Sequence, residues 1–450
     1  MLLCAEYVLP ITQPPIEKGA VLVRDGKIQD VGRADVLKAR YAGEETKDFG
    51  LAALMPGLVN LNSRLEHAVM RGIVHDEPYI TWLQLVNETS SLMNGSDWHD
   101  SAILGGLEAL SAGITTVADV TSSSAPCDAV RELGLRSVIY REVTAMDKRR
   151  VDHAMRQAKS DVEKWQDEYA SDLVTVGIAA GPLYACHPLI FSKIVEFADD
   201  TLPVALQLAA SREEYNFIKR GSSALSVHSE NVNRGYVEIP PWLPTGVTPV
   251  NYVLNWGGLD AKNILAVHCV HVNDDDLDEL RSHDVAIAVC QRCNAQLGMG
   301  VPPLADYLRA GMRVGLGTDS PAATDSTDLF IEMRTGMLLQ RAVTRNMFLD
   351  SATMLEMATM GGARALRMED KIGSLEVGKL ADIVAVDLSG SHQTPTTDPI
   401  SAVVNTAAST DVVMTMVNGQ VLYESDQWHV DVQVARNIAS VIEIRGKLRG

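Results

Sequence analysis

Short apolar runs alternate with amphipathic stretches through the middle of the chain. Stretches such as 101–113 and 274–283 space their apolar residues as one face of a helix does. The apolar runs between the helical stretches are rich in Val, Ile and Ala, which is typical of parallel strands buried on both faces. The runs are 57–62, 114–120, 136–143, 174–181, 203–209, 264–270, 285–291 and 313–320. Eight strands that alternate with helices predict an α/β protein built on a (β/α)₈ TIM barrel.

Both ends of the chain have a different pattern, in which short strands are joined by tight turns. Asp25-Gly26 lies between two apolar runs near the start, and Asn418-Gly419 does so near the end. Such dipeptides between apolar runs are strong hairpin signals. We therefore predict one small discontinuous β-sandwich domain, built from residues 1–55 and 375–450, beside a barrel of residues 56–374.

Two connections are long. They are "LVNETSSLMNGSDW" after the first barrel strand and "HSENVNRGYVEIPPWLPTGVTP" after the fifth. Loops that follow barrel strands cover the active-site face of this architecture, so both are predicted to roof a pocket.

Composition and charge exclude several classes of function. The chain has 450 residues and a formal net charge of -19, which argues against nucleic acid or an anionic membrane as a partner. It has no apolar run long enough to span a bilayer, and its start lacks the basic segment of a signal peptide, so the cytoplasm is the expected compartment. Six cysteines are too few for a disulfide framework. Cys290 and Cys293 form a lone C-x-x-C pair, which we interpret as thiols packed at a strand end.

Several stretches resemble the amidohydrolase superfamily, and the resemblance covers nearly the whole chain. They are "MPGLVN", "GITTVADVT", "AVHCVHVNDDDLDEL", "CQRCNAQLGMGVPPLADYLRAGMRVGLGTDSPAATDSTDLFIEMR" and "IGSLEVGKLADIVAVD". The nearest branch is similar to the nucleoside and triazine deaminases, and the segment "NLNSRLE" followed by "RG" and "YITWLQLV" resembles the aminodeoxyfutalosine deaminases within it. The resemblance implies a hydrolase of C–N bonds other than peptide bonds.

The same resemblance implies a divalent metal at the mouth of the barrel. Two His from strand 1, one His from strand 5 and one Asp from strand 8 hold it in the family, a Glu after the strand-5 His moves protons, and a His ends strand 6. Here the first three positions hold Asn62, Arg64 and Gln207, and Ala210 stands where the Glu belongs. Only His268 and Asp319 remain, as candidate catalytic residues.

The replacements predict a site that has lost its metal. Asn and Gln offer neutral carbonyl oxygens, which are poor zinc ligands, and Arg is always protonated. We expect Arg64 to neutralise Asp319, because an unpaired buried carboxylate is costly. Asn62, Arg64, Gln207 and Tyr184, the last within a strand-4 motif, are expected to bind substrate instead. His67, His75, His187 and His271 match no ligand spacing.

Three hypotheses about function follow. The first is a degenerate amidohydrolase-like protein that needs no cofactor and binds a small molecule or a partner. The second is a metal-independent enzyme that uses His268, Asp319 and Arg64 on a nitrogen-rich or anionic substrate. The third is a C–N hydrolase or deaminase with atypical metal ligands, and only this hypothesis requires zinc or iron. Residue chemistry favours the first, and the resemblance adds the expectation of a homo-oligomer.

Overall fold

The structure is a computed structural model, and it describes residues 1–222, 224–225, 244–344 and 347–448. Most of the predicted long connection after the fifth barrel strand lies outside the described residues. No helix in the described part is long and apolar enough to cross a membrane.

Eight parallel strands form a nearly closed barrel. In chain order they are β6 Leu58–Ser63, β7 Ile114–Thr121, β8 Arg136–Val143, β9 Val174–Ala180, β10 Val204–Leu208, β11 Ile264–His268, β12 Ala286–Val289 and β13 Val314–Leu316. Each strand pairs with the next along the chain, and a bridge between Ser63 and Asp319 brings the last strand back beside the first. The predicted (β/α)₈ barrel is confirmed, since continuous apolar runs suit strands that are covered on both faces.

The two chain ends build one mixed sheet of nine strands. These are β1 Leu2–Val8, β2 Ile16–Arg24, β3 Lys27–Arg33, β4 Thr46–Asp48, β5 Ala52–Pro56, β14 Ile383–Asp387, β15 Val412–Val417, β16 Gln420–Glu424 and β17 Gln427–Trp428. β5 pairs antiparallel with β14 and so joins the two ends. Both predicted hairpins are present, with Asp25-Gly26 and Asn418-Gly419 at positive φ as such turns require. The boundaries at residues 55 and 375 stay a prediction.

Helices surround the barrel and cover one face of the sheet. They are α1 Ala34–Arg40, α2 Tyr79–Ser90, α3 Gly95–Ser111, α4 Ala125–Leu133, α5 Lys148–Tyr169, α6 Leu189–Ala198, α7 Arg212–Arg220, α8 Pro249–Asn255, α9 Asp274–Ser282, α10 Gln291–Gln296, α11 Leu304–Arg309, α12 Pro321–Thr324, α13 Leu329–Val343, α14 Ser351–Glu356, α15 Gly362–Ala365, α16 Pro399–Asn405 and α17 Val434–Leu448. A 3₁₀ turn over Leu65–Met70 follows β6 directly, another spans Leu183–Ala185 after β9, and a π segment over Met357–Gly361 joins α14 to α15. The connection after β6 also carries α2, which forms part of the wall at the barrel mouth.

Candidate active site

A pocket of about 500 Å³ opens at the carboxyl ends of the barrel strands. Five of the six site residues predicted from the sequence line it, namely Arg64, Tyr184, Gln207, His268 and Asp319. Asn62 lies one layer below and is 1% exposed. Parallel strands present their carboxyl ends at one edge of a barrel, so residues far apart in sequence meet there.

His268 and Asp319 face each other at the floor of this pocket. His268 Nε2 lies 3.8 Å from Asp319 Oδ2, and the two residues are 5% and 8% exposed. His268 Nδ1 lies 2.9 Å from Asn294 Oδ1. With the Asn294 amide oxygen as the acceptor, Nδ1 carries a proton, and whenever the ring is neutral its lone pair is on Nε2. Nε2 and Oδ2 are then two hydrogen-bond acceptors 3.8 Å apart, and one small donor molecule between them can donate to both.

Both residues have a backbone conformation that is uncommon for side chains with a Cβ. The φ angle is +75° at His268 and +59° at Asp319. Left-handed non-glycine residues cost energy and persist where the surrounding structure holds them. They collect at functional sites, which agrees with the position of this pair.

Asp319 has a second partner that the sequence interpretation missed. Cys293, near the start of α10, donates from Sγ to Asp319 Oδ2 across 2.9 Å and lines the pocket. Burial by itself would raise the pKa of Asp319, but His268, the Cys293 thiol and Arg64 together lower it below its ordinary value. Cys293 is packed in a buried apolar cluster after β12, as the sequence interpretation expects, and it contacts the Asp319 carboxylate as well.

Arg64 does not pair with Asp319, contrary to expectation. Its Nη2 donates to Glu142 Oε1 across 2.8 Å, and its Nη1 reaches Oε2 at 3.5 Å and the Val120 carbonyl at 3.3 Å. Burial would lower the pKa of Arg64, but the Glu142 charge keeps it above its ordinary value. Glu142 lies at the end of β8, two strands away, so strand order gave no signal for this pair.

One wall of the pocket is aromatic. Tyr79 and Trp82 on α2 stack at 6.3 Å between ring centroids with an interplanar angle of 20°. The Tyr79 hydroxyl lies 2.6 Å from the Tyr184 hydroxyl, and Trp82 Nε1 donates to the Ala322 carbonyl. These bonds fix the rings as a flat apolar surface, which suits a planar heterocycle.

His67 also lines the pocket, with Nδ1 2.9 Å from the Ser320 hydroxyl. Burial and the neighbouring Arg64 lower its pKa to about 3, so the ring is neutral and a weak base. The sequence pointed to none of His67, Glu142, Tyr79 or Trp82 as site residues. The available signal was the position of His67 and Glu142 at strand ends, and the place of Tyr79 and Trp82 in the long connection after the first strand.

Solved structures resemble this chain over nearly its whole length. A zinc-bound adenosine deaminase from Xanthomonas campestris superposes with a TM-score of 0.85 at 26% identity, covering 100% of this chain and 98% of that one. An atrazine chlorohydrolase from Arthrobacter aurescens, complexed with zinc, has a TM-score of 0.82 at 24% identity and 99% coverage of both chains. At that identity the second likeness shows the fold alone.

Relatives in sequence carry the name of one activity. A 5-methylthioadenosine/S-adenosylhomocysteine deaminase from Desulforudis audaxviator is 30% identical over 423 residues, which are 92% of this chain and 91% of the relative. The protein of the same name from Thermodesulfovibrio yellowstonii is 28% identical over 428 residues, again 92% and 91%.

These comparisons correct two expectations. The expectation of a degenerate protein that only binds a ligand is contradicted, because relatives that match along nine-tenths of the chain are named deaminases. The expectation that no cofactor is needed is contradicted as well, because the adenosine deaminase that resembles this chain at 26% identity contains zinc.

The side chains at the family's ligand positions do not fit that zinc ion. Arg64 contributes a fixed cation, and Asn62 and Gln207 contribute neutral amides. Asn62 Oδ1 is buried and has no hydrogen-bond partner, while its Nδ2 contacts Cys290 Sγ at 3.6 Å. Among the described residues, no group of three or more His, Cys, Asp or Glu side chains is arranged to hold a metal ion. The misfit therefore concerns these side chains and not the fold, which matches that of the zinc-bound adenosine deaminase.

Two family models match the sequence. One describes a bacterial imidazolonepropionase-like composite domain and matches only residues 19–43. The other, of the amidohydrolase family, matches residues 53–422. Because that match includes the whole barrel and covers well over half of the chain, this chain belongs to the amidohydrolase family.

Proposed function

We propose that this protein is a hydrolytic deaminase that replaces an amino group on a planar nitrogen heterocycle of the nucleoside type. The observation that carries the proposal is the buried pair of His268 and Asp319, set 3.8 Å apart at the floor of a pocket with an aromatic wall. The names of the relatives support the reaction, and 5-methylthioadenosine and S-adenosylhomocysteine are the first substrates to test.

The pair acts on the attacking water. A water between His268 Nε2 and Asp319 Oδ2 donates a hydrogen bond to each acceptor, and its oxygen lone pairs are then directed into the pocket. As this oxygen attacks the ring carbon that bears the amino group, one water proton passes to the pair. The pair returns that proton to the departing nitrogen, so water and the amino compound become ammonia and the hydroxy or oxo product.

The other pocket residues hold the ring. The Tyr79 and Trp82 wall provides an apolar surface for its face, while Gln207 and the Tyr184 hydroxyl offer hydrogen bonds at its edge. Asn294 orients His268, and Cys293 orients Asp319. Ala210 cannot move protons as the family's Glu does, and in this proposal the His268 and Asp319 pair takes that role.

The test is release of ammonia from a panel of purines, pyrimidines and their nucleosides, assayed with and without added zinc. Asp319→Asn and His268→Gln should each lower kcat/KM by about 100-fold or more, the range expected for removal of a general acid or base. His283→Gln removes an imidazole outside the pocket and is the matched control. The proposal fails if the parent releases no ammonia from any compound under either condition, or if both site variants keep the parent's rate.

We also infer a cytoplasmic protein that forms a homo-oligomer. The six cysteines, none of which is in a disulfide, support the first prediction, and the family resemblance supports the second. Light scattering after size-exclusion chromatography measures the second, and a purely monomeric protein would refute it.

A further inference from the structure

We propose that Glu142 makes the pocket selective against anionic ligands by neutralising Arg64. The ligands admitted are then uncharged or cationic heterocycles and nucleosides, and phosphorylated ones are rejected. The charge preference holds whether or not the protein turns over a substrate. Only its interpretation as substrate selection rests on the proposed function.

Arg64 has the properties of an anion-binding side chain whose guanidinium is already occupied by Glu142. Its guanidinium lines the pocket and its side chain is only 15% exposed, so an anion placed there would be largely shielded from water. A planar guanidinium binds phosphate and carboxylate through two parallel hydrogen bonds. The resident carboxylate of Glu142, itself 14% exposed, occupies this fork at 2.8 and 3.5 Å.

The remaining charges of the pocket favour the same selection. Asp319 adds one more carboxylate to its lining, whereas Asp147 is paired with Arg149 across 2.8 Å and Arg150 is engaged in an interaction of its own. A phosphate that entered would have to displace Glu142 while its charge faced Asp319. Like charges repel strongly in a pocket that is shielded from water, so both effects oppose phosphate binding.

The second hypothesis drawn from the sequence allowed an anionic substrate because Arg64 was expected in the pocket. The structure places Arg64 there together with its own counter-ion. The Arg64 and Glu142 pair therefore carries no net charge and offers hydrogen bonds along one edge. The negative charge of Asp319 then determines the charge at the floor of the pocket.

The experiment is a titration with inorganic phosphate, followed by isothermal calorimetry and by the melting temperature at constant ionic strength. Glu142→Gln keeps the size of the side chain and an acceptor for Arg64, but removes the charge. It should bind phosphate at least about 10-fold more tightly than the parent, a difference of about 1.4 kcal/mol. Glu168→Gln removes an exposed carboxylate outside the pocket and is the matched control, for which little gain is expected.

A second variant assigns the effect to Arg64. The double variant Arg64→Met/Glu142→Gln should lose the gain, since the receptor is then absent. The affinities for adenosine 5′-monophosphate and for adenosine give the same comparison on a nucleoside scaffold. In Glu142→Gln the ratio of these affinities should favour adenosine less than it does in the parent. If Glu142→Gln does not fold, Glu142→Asp, which loosens the pair by one methylene, should show a smaller gain.

Equal phosphate affinity in the parent and the folded Glu142 variants would overturn the proposal, as would a gain that survives in the double variant. Phosphate binding requires no turnover. A failed deamination assay therefore leaves this result standing, and a failed titration leaves the deamination assay untouched.

Discussion

Arg136 and Asp382 form a buried ion pair between the barrel and the terminal sheet, and its loss should destabilise the protein strongly. Arg136 begins β8, and its Nε and Nη2 donate to the two carboxylate oxygens of Asp382 across 2.6 and 3.0 Å. The side chains are 3% and 2% exposed. Arg136→Met should therefore leave a carboxylate that neither water nor another cation neutralises.

The size of the effect follows from this geometry. Breaking a buried pair by removal of one partner costs about 3–5 kcal/mol, because the other charge stays in a poorly polarisable environment. The Asn418 N–H still donates to Asp382, which places the expected loss near the lower end, about 3 kcal/mol. The double variant Arg136→Met/Asp382→Leu removes both charges and should recover more than half of that loss, because a packed apolar pair needs no desolvation of ions.

Urea unfolding at pH 7, followed by both tryptophan fluorescence and circular dichroism, measures the difference if the two transitions coincide. Arg24→Met breaks the exposed pair with Glu44, in which Arg24 is 47% exposed, and should cost no more than about 1 kcal/mol. An Arg136→Met protein within about 1 kcal/mol of the parent would refute the reasoning. So would a double variant that is as unstable as the sum of its single changes.

Three further predictions concern the site and its support. Arg64→Met and Glu142→Gln should be coupled by about 1–3 kcal/mol in a double-mutant cycle of unfolding free energies, and additive effects would show that the pair contributes nothing. Gly105→Ala should lower the free energy of unfolding by about 1–3 kcal/mol, because its Cβ would come within 2.5 Å of the main chain that follows β6. The Cβ of Gly95→Ala would meet no atom, so this control should be neutral or stabilising. Burial raises the pKa of Glu214 from 4.5 to about 8, so the folded state keeps a proton that the unfolded state releases as pH rises through this range. The stabilising effect of protonation is then full below about pH 4.5 and lost by about pH 8. The free energy of unfolding of Glu214→Gln, relative to that of the parent, should therefore rise across this window by at most about 1.4 kcal/mol per pH unit. A difference between the two proteins that does not change with pH would exclude a buried acid at this position.

Local sequence patterns determined the architecture of this protein. Continuous apolar runs predicted the barrel strands to within a few residues, and Asp25-Gly26 and Asn418-Gly419 predicted the hairpins of the terminal sheet. These signals are local, because burial on both faces and positive φ each constrain the residues that carry them. The positions of His268 and Asp319 at one edge of the barrel followed from the same reasoning, since parallel strands end together.

Tertiary structure decided which side chains meet. The sequence interpretation paired Arg64 with the wrong carboxylate. Its strand, β6, has β7 on one side and the last barrel strand on the other, and sequence order does not say toward which side a long side chain turns. Cys293 and Asp319 are 26 positions apart, and the C-x-x-C spacing gave no sign of their contact. Counting ligands also misjudged function, since a site is defined by the groups that converge on it. Convergence depends on side-chain distances of about 3–4 Å that are set by strand stagger and rotamers, and a one-dimensional pattern does not encode these.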